Sequence, residues 1–151
     1  MYEAKLKELG IELPEAPKPL AAYVPAMQAG EFVYTSGQVP LEAGELKFKG
    51  KVGADLSEEE GYAAARLCAI NCLSAVKGLT GSLDKIGQIV KVTGFVNSAP
   101  GFTAQPKIVN GASEFLVEVF GDAGKHARSA VGVSELPIGA PVEVEIIVKL
   151  K

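Results

Sequence analysis

Apolar positions along the chain recur at two spacings, and the switches between them mark out the elements. Tyr62, Ala65, Ala69, Cys72, Leu73 and Val76 form a stripe of helical period, with Cys68 beside it. Ser57 and Glu60 have the spacing of a capping box, and Glu58–Glu60 suit the positive end of a helix dipole. A helix is therefore predicted from Ser57 towards Gly78, and its alanines at 63–65 and 69 predict close packing against a sheet. A second helix is predicted over Pro106–Phe120, on Ile108, Val109, Ala112, Phe115, Leu116, Val119 and Phe120. Pro106 suits its first turn and Gly121 its end. A short helix over residues 2–9, ended by Gly10, precedes both.

Elsewhere the period is two or the residues favour strands. "QIVKVTGFV", Gln88 to Val96, reads as a strand. So does each half of "YVPAMQAGEFVYTSGQVP", with a turn at Ala29–Gly30. "LEAGELKFKGKVG" reads as a loop or short edge strand, and residues 129–134 and 142–150 as two final strands. The proline-rich stretch "IELPEAPKPLAAYVP" is expected to run extended over the surface. Strands, helix, strand, helix, strands is an α+β order. It predicts one domain over residues 1–151, a mixed six-stranded sheet with two helices on one face, and an added N-terminal helix.

Composition narrows the functional classes. The 151 residues suffice for one buried core, and 48% apolar with 22% charged residues is ordinary for a soluble domain. Net charge is −3, with no run of five like charges and no tryptophan, which argues against a standing nucleic-acid surface. Cys68 and Cys72 share a helical face and read as small apolar residues, and the single histidine, His126, lies far from them in sequence, so no metal site is expected. "MYEAKLKELG" is charged and periodic, unlike a signal peptide, and no apolar run reaches membrane-spanning length. A cytoplasmic location without membrane partners is the expectation.

The candidate chemistry lies in "HARSAVGVSELPIGAPVEVEIIVKLK", His126 to Lys151. Extended, Arg128, Ala130, Gly132 and Ser134 share a face, so a cation is followed by small residues that leave room beside the backbone. Glu143 and Glu145 share a face of the last strand. From spacing alone, a structural ion pair or solvated strand-end charges is the reading to prefer for Arg128 and Glu143, since strand-end charges commonly do no more than this. A simple hairpin through "LPIGAP" would put Arg128 opposite Lys149, five or more residues from Glu143 at about 3.3 Å each. Arginine and glutamate then meet only if the strands are not direct neighbours, or if a second chain closes the site.

Arg128, Ser129, Val131, Val133, Leu136–Pro137 and Glu143 have the spacing of the Rid/YjgF family, the reactive-intermediate deaminases, which this segment resembles. "YTSGQVP", Tyr34 to Pro40, resembles the family's Ser-Gly-Gln-Ile/Val-Pro stretch, and Tyr23 and Asn110 fall where the family has a tyrosine and a helix asparagine. The resemblance covers residues 18–150. It implies a chorismate-mutase-like fold and a homotrimer with clefts between subunits. It also implies hydrolysis of enamines or imines of the 2-aminoacrylate class to 2-keto acids and ammonia, without a cofactor. Arg128 would grip the substrate carboxylate, Glu143 would orient the water, and Tyr23, Ser36, Gly37, Asn110 and Ala130 would line the pocket. Ala130 stands where many members carry cysteine, Gly132 replaces a larger residue, and about four extra residues lie between Phe102 and Asn110. These departures mark a distinct branch. They leave a non-catalytic sensor of small carboxylates as the alternative, with RNA cleavage, a label some members carry, behind it.

Overall fold

A computed structural model describes residues 1–19 and 21–151. Leu20, within the stretch expected to run extended, lies outside the described residues. The described residues form three α-helices: α1 (Tyr2–Glu8), α2 (Glu58–Thr80) and α3 (Gln105–Phe120). The strands are β1 (Ala26–Ala29), β2 (Phe32–Thr35), β3 (Leu41–Glu42), β4 (Glu45–Leu46), β5 (Ile86–Asn97), β6 (Ala127–Val133) and β7 (Val142–Leu150).

Five strands form the main sheet in the order β1-β2-β7-β5-β6. All neighbours are antiparallel except β5 and β6, which run parallel because α3 carries the chain back over the sheet between them. The expected sixth strand is not part of this sheet. Ala43 and Gly44 both take positive φ, 53° and 81°, which folds "LEAGEL" on itself, so β3 and β4 pair only with each other.

Alternation along the strands decides which side is covered. Val92, Gly94 and Val96 of β5 lie opposite Ile146, Val144 and Val142 of β7, and these residues are buried beneath the helices. A Cβ on Gly94 would lie 2.5 Å from Val109, so glycine lets α3 settle onto the sheet. The helices meet just as closely at Gly111, where a Cβ would overlap the Tyr62 carbonyl oxygen. Phe115, Leu73, Ile89, Ile108 and Leu116 fill the space between the layers, fully buried.

The capping box forms as expected: Ser57 Oγ accepts from the Glu60 N–H at 3.1 Å, and Glu60 Oε1 accepts from the Ser57 N–H at 3.1 Å. The helix passes Gly78 and stops at Gly81, which takes φ 86°. Gly78 serves packing instead, since a Cβ there would stand 2.5 Å from that of Ala16 in the N-terminal segment. Helix α1 is bound to this end of the fold. Glu3 pairs with Lys77 at 2.6 Å and accepts from Ser82 Oγ at 2.6 Å, which hold its carboxyl below the ordinary range. Tyr2 leans on Phe120 with ring centroids 4.4 Å apart.

Candidate active site

The residues singled out in the sequence fall into two clusters, on opposite faces of the sheet. Arg128 lies beside Val92 and Ala130 beside Gly94, so both side chains project to the helix side. Glu143 lies beside Phe95 and Glu145 beside Thr93, on the uncovered side. Strand β5 separates the two strands that carry them. The hairpin geometry therefore does not occur, and within one chain the arginine and the glutamate do not meet.

The arginine cluster is built by α3 and β6. Asn110 and Ser113 stand three apart on α3, one above the other, facing the edge strand. Arg128 Nη1 donates to Asn110 Oδ1 at 2.8 Å and to Ser113 Oγ at 3.2 Å. Nη1 has two N–H groups, so these bonds occupy that corner and leave the Nε–Nη2 edge of the fork open. Among the described residues no carboxylate pairs with Arg128, whereas the chain's other arginine, Arg66, pairs with Glu118 at 3.1 Å. The guanidinium is half-buried and oriented by neutral partners, so its charge is uncompensated. Ala130 lies two residues along the same face, partly buried against the core. The space beside Gly132, however, is taken: a Cβ there would meet Gln105 Nε2 at 2.7 Å and Ser98 Oγ at 3.0 Å. Room for a ligand beside the backbone is thus not general along β6.

The glutamate cluster is built by β7 and the loop after β2. Ser36 N–H donates to Pro25 O at 2.8 Å and its hydroxyl to Val24 O at 2.6 Å. Gln38 exchanges bonds with Val144, N–H to O at 2.8 Å and O to N–H at 3.0 Å. Asn71 Nδ2 reaches from α2 to the carbonyls of Val39 and Leu41, both at 3.0 Å. These bonds hold Gly37 against Glu143, so that a Cβ on Gly37 would lie only 2.7 Å from Oε1. Among the described residues the Gly37 N–H has no acceptor, while its neighbours on both sides do. Burial raises the pKa of Glu143 above its ordinary value, and the charge of Glu145 on the same face adds to the rise. Tyr23 lies exposed, two residues before the Pro25 carbonyl that anchors this loop. The Ser36 hydroxyl thus fastens the chain beside Gly37.

Two residues of the arginine cluster were missed or set aside from the sequence. Ser113 carried no motif; its signal was only its distance of three residues from Asn110. His126 was considered but no partner could be named for it. The remaining chemistry-bearing groups are structural. Cys68 and Cys72 donate to the carbonyls of Val142 and Val144 at 3.5 and 3.2 Å, and burial pushes the Cys72 thiol up to about 12 and the Cys68 thiol well above its usual value. Among the described residues, no group of three His, Cys, Asp or Glu could hold a metal ion, and no helix is long and apolar enough to cross a membrane.

Comparison with known proteins bears on this geometry. The family described as YjgF/chorismate mutase-like, whose description also carries an endoribonuclease label, matches residues 3–150. Protein TCP17 of Trypanosoma cruzi is 45% identical over 148 residues, covering 97% of this chain and 92% of the relative. A 2-iminobutanoate/2-iminopropanoate deaminase of Dermatophagoides farinae is 32% identical over 141 residues, covering 93% and 95%. The crystal structure of the protein Atu1372 from Agrobacterium tumefaciens superposes with a TM-score of 0.92 at 44% identity, covering 99% of this chain and 92% of that one. The sheet, the two helices on its face and these matches agree, and the chain belongs to the YjgF/chorismate mutase-like family, the one its Arg128–Glu143 segment resembles.

Proposed function

We propose that this protein hydrolyses small enamines and imines of the 2-aminoacrylate class to 2-keto acids and ammonia, in the cytoplasm, within clefts between the copies of a homotrimer. The observation that carries the reading is the state of Arg128: a half-buried guanidinium oriented by Asn110 and Ser113, with no carboxylate paired to it among the described residues and with one edge of its fork open. Such a fork suits a planar carboxylate held by two parallel hydrogen bonds. Arg128 holds that carboxylate, and the nearby Ala130 leaves space beside it.

The second half of the reaction comes from another copy. Arg128 and Glu143 lie on opposite faces, so one chain cannot bring both to one small molecule. The uncovered sheet face presents Met27, Tyr34 and Val131, which are 58%, 44% and 43% exposed, together with Ile147 and Phe95. An apolar sheet face of this kind is suited to cover by another chain. Contact between copies also brings Gly37, Glu143, Ser36 and Tyr23 of one chain towards the arginine of the next.

The substrate reacts as the imine, which an enamine becomes by taking a proton at C3 and losing one from nitrogen. Water held by Glu143 attacks C2, its oxygen bonding to carbon while a proton passes to the carboxylate. That proton is returned to nitrogen to give a carbinolamine; the hydroxyl then passes its own proton through Glu143 to nitrogen as C=O forms and the C–N bond breaks, and the products are the keto acid and ammonia. A carboxylate whose pKa is raised by burial suits these transfers. The free Gly37 N–H is a donor for an oxygen of the substrate or of the addition intermediate. No metal or organic cofactor takes part. With 2-aminoacrylate generated in its presence, the protein should accelerate keto-acid release and Arg128→Ala should abolish the acceleration; equal rates for the two would sink the proposal.

A further inference from the structure

Asn110 is not the only group that aims Arg128, because a hydrogen-bonded chain runs behind Ser113. Ser113 Oγ lies 2.9 Å from His126 Nε2, and His126 Nδ1 lies 2.6 Å from the Gly124 carbonyl. One proton arrangement satisfies every member. A carbonyl oxygen only accepts, so Nδ1 carries the hydrogen and Nε2 is left as an acceptor. Ser113 then donates its hydroxyl hydrogen to Nε2 and turns a lone pair towards Arg128 Nη1, which donates to it at 3.2 Å.

The far end of this chain is fixed by packing. A Cβ on Gly124 would overlap the Leu116 carbonyl oxygen of α3, so only glycine brings this turn against the helix and sets its own carbonyl under the imidazole. Its surroundings disfavour the charged form of the imidazole. Burial lowers its pKa, the Arg128 charge lowers it further, and the bond to Gly124 opposes them in part. An imidazolium would turn an N–H on Ser113 and disturb the lone pair the guanidinium needs.

We propose that Ser113 and His126 are positioning residues that, through a relay anchored on the Gly124 carbonyl, lock the guanidinium of Arg128 with its Nε–Nη2 edge turned towards the ligand carboxylate. This rests on the reading that Arg128 grips a carboxylate. Asn110 alone would leave the guanidinium free to swing about one hydrogen bond, and the second bond, to Ser113, fixes its plane. The relay therefore acts on substrate affinity and leaves the chemical step, in which Glu143 handles the water, largely untouched.

The test uses the assembled protein, with turnover of the 2-aminoacrylate class and calorimetric binding of pyruvate read side by side. Ser113→Ala and His126→Leu should each raise KM and the pyruvate Kd about tenfold, the scale of one hydrogen bond to a charged group, with kcat held within about twofold. Ser113→Thr, which keeps the hydroxyl, and His126→Gln, which keeps an acceptor towards Ser113, should stay within about threefold of the parent. The double variant S113A/H126L should bind no worse than either single variant, because both break the same path. Losses that multiply in the double variant, or a fall in kcat at unchanged KM, would overturn the relay. Nitrogen chemical shifts of the imidazole in the unaltered protein are a check that needs no variant to fold: a hydrogen on Nδ1 supports the relay and one on Nε2 refutes it. If Arg128→Ala binds pyruvate as tightly as the parent, the carboxylate reading itself fails; if Arg128→Ala loses binding while Ser113→Ala and His126→Leu retain it, only the relay does.

Discussion

Replacing Gly37 by alanine tests the glutamate half of the site while sparing the fold. The new Cβ would stand 2.7 Å from Glu143 Oε1, 2.8 Å from Cδ and 3.1 Å from Cγ. Ordinary contact begins near 3.4 Å, so the carboxylate must retreat by roughly 0.7 Å. Spinning the carboxylate in place does not relieve the crowding, because Cδ and Cγ are also too close. The whole side chain has to turn. A misplacement of about 1 Å in a reacting group costs on the order of 10²-fold, so kcat should fall about 30- to 100-fold. KM should change little if, as proposed, Arg128 holds the substrate carboxylate. Stability should not suffer. Gly37 is not among the residues with positive φ, and alanine at such a position narrows the unfolded ensemble, worth about 0.4–1 kcal/mol. The assay pairs keto-acid release with urea unfolding of the same preparation. A kcat within about twofold of the parent, with the chain folded, would refute the idea that the Gly37–Glu143 approach sets the position of the water.

Two further perturbations test packing and electrostatics. In Gly111→Ala the added methyl overlaps the Tyr62 carbonyl oxygen and lies 3.2 Å from Arg66 N, both backbone atoms of α2 that cannot swing aside. Overpacking of about 3 kcal/mol should outweigh a helix-propensity gain of about 1 kcal/mol, lowering the urea midpoint, whereas a midpoint at or above the parent's would contradict the close helix contact. The second is the pH dependence of Glu143→Gln. The folded carboxyl binds its proton more tightly than the unfolded one, whose pKa is ordinary, near 4.5, so ionised Glu143 opposes folding. That cost is absent below 4.5, grows as pH rises through the folded value, and is then constant. The variant should gain stability over the parent between pH 4 and pH 7, and a difference that stays flat with pH would count against a raised pKa.

Local chemistry was the part of this structure most legible in the sequence. The Ser57–Glu60 box, Pro106 near the start of α3 and Gly121 at its end act within a few residues, so the helices begin and stop close to where the pattern places them. Gly78 misled because a glycine reads alike whether it ends a helix or admits a neighbour, and the neighbour, Ala16, is 62 residues away in sequence. The six-strand expectation failed on the same ground. "LEAGEL" has the look of an edge strand, but Ala43 and Gly44 turn it back on itself before it reaches the sheet. For the site, Arg128, Asn110, Glu143 and Gly37 could each be picked out through the family resemblance, and the structure sets the first two together and the last two together. What spacing could not show is that β5, which comes earlier in the chain, inserts between β6 and β7 and sets the pairs on opposite faces. Ser113 and His126 were unreadable for a related reason: their significance comes from a carbonyl and a guanidinium brought together by α3 and the turn after it.

The placement of arginine and glutamate on opposite sides of one wall has a consequence for inheritance. In the proposed assembly each cleft would draw its two halves from different copies of the chain. A cell with two damaged alleles, one lacking the arginine and the other the glutamate, would still form some clefts in which the intact halves meet, so the two lesions would partly rescue each other where either alone is null.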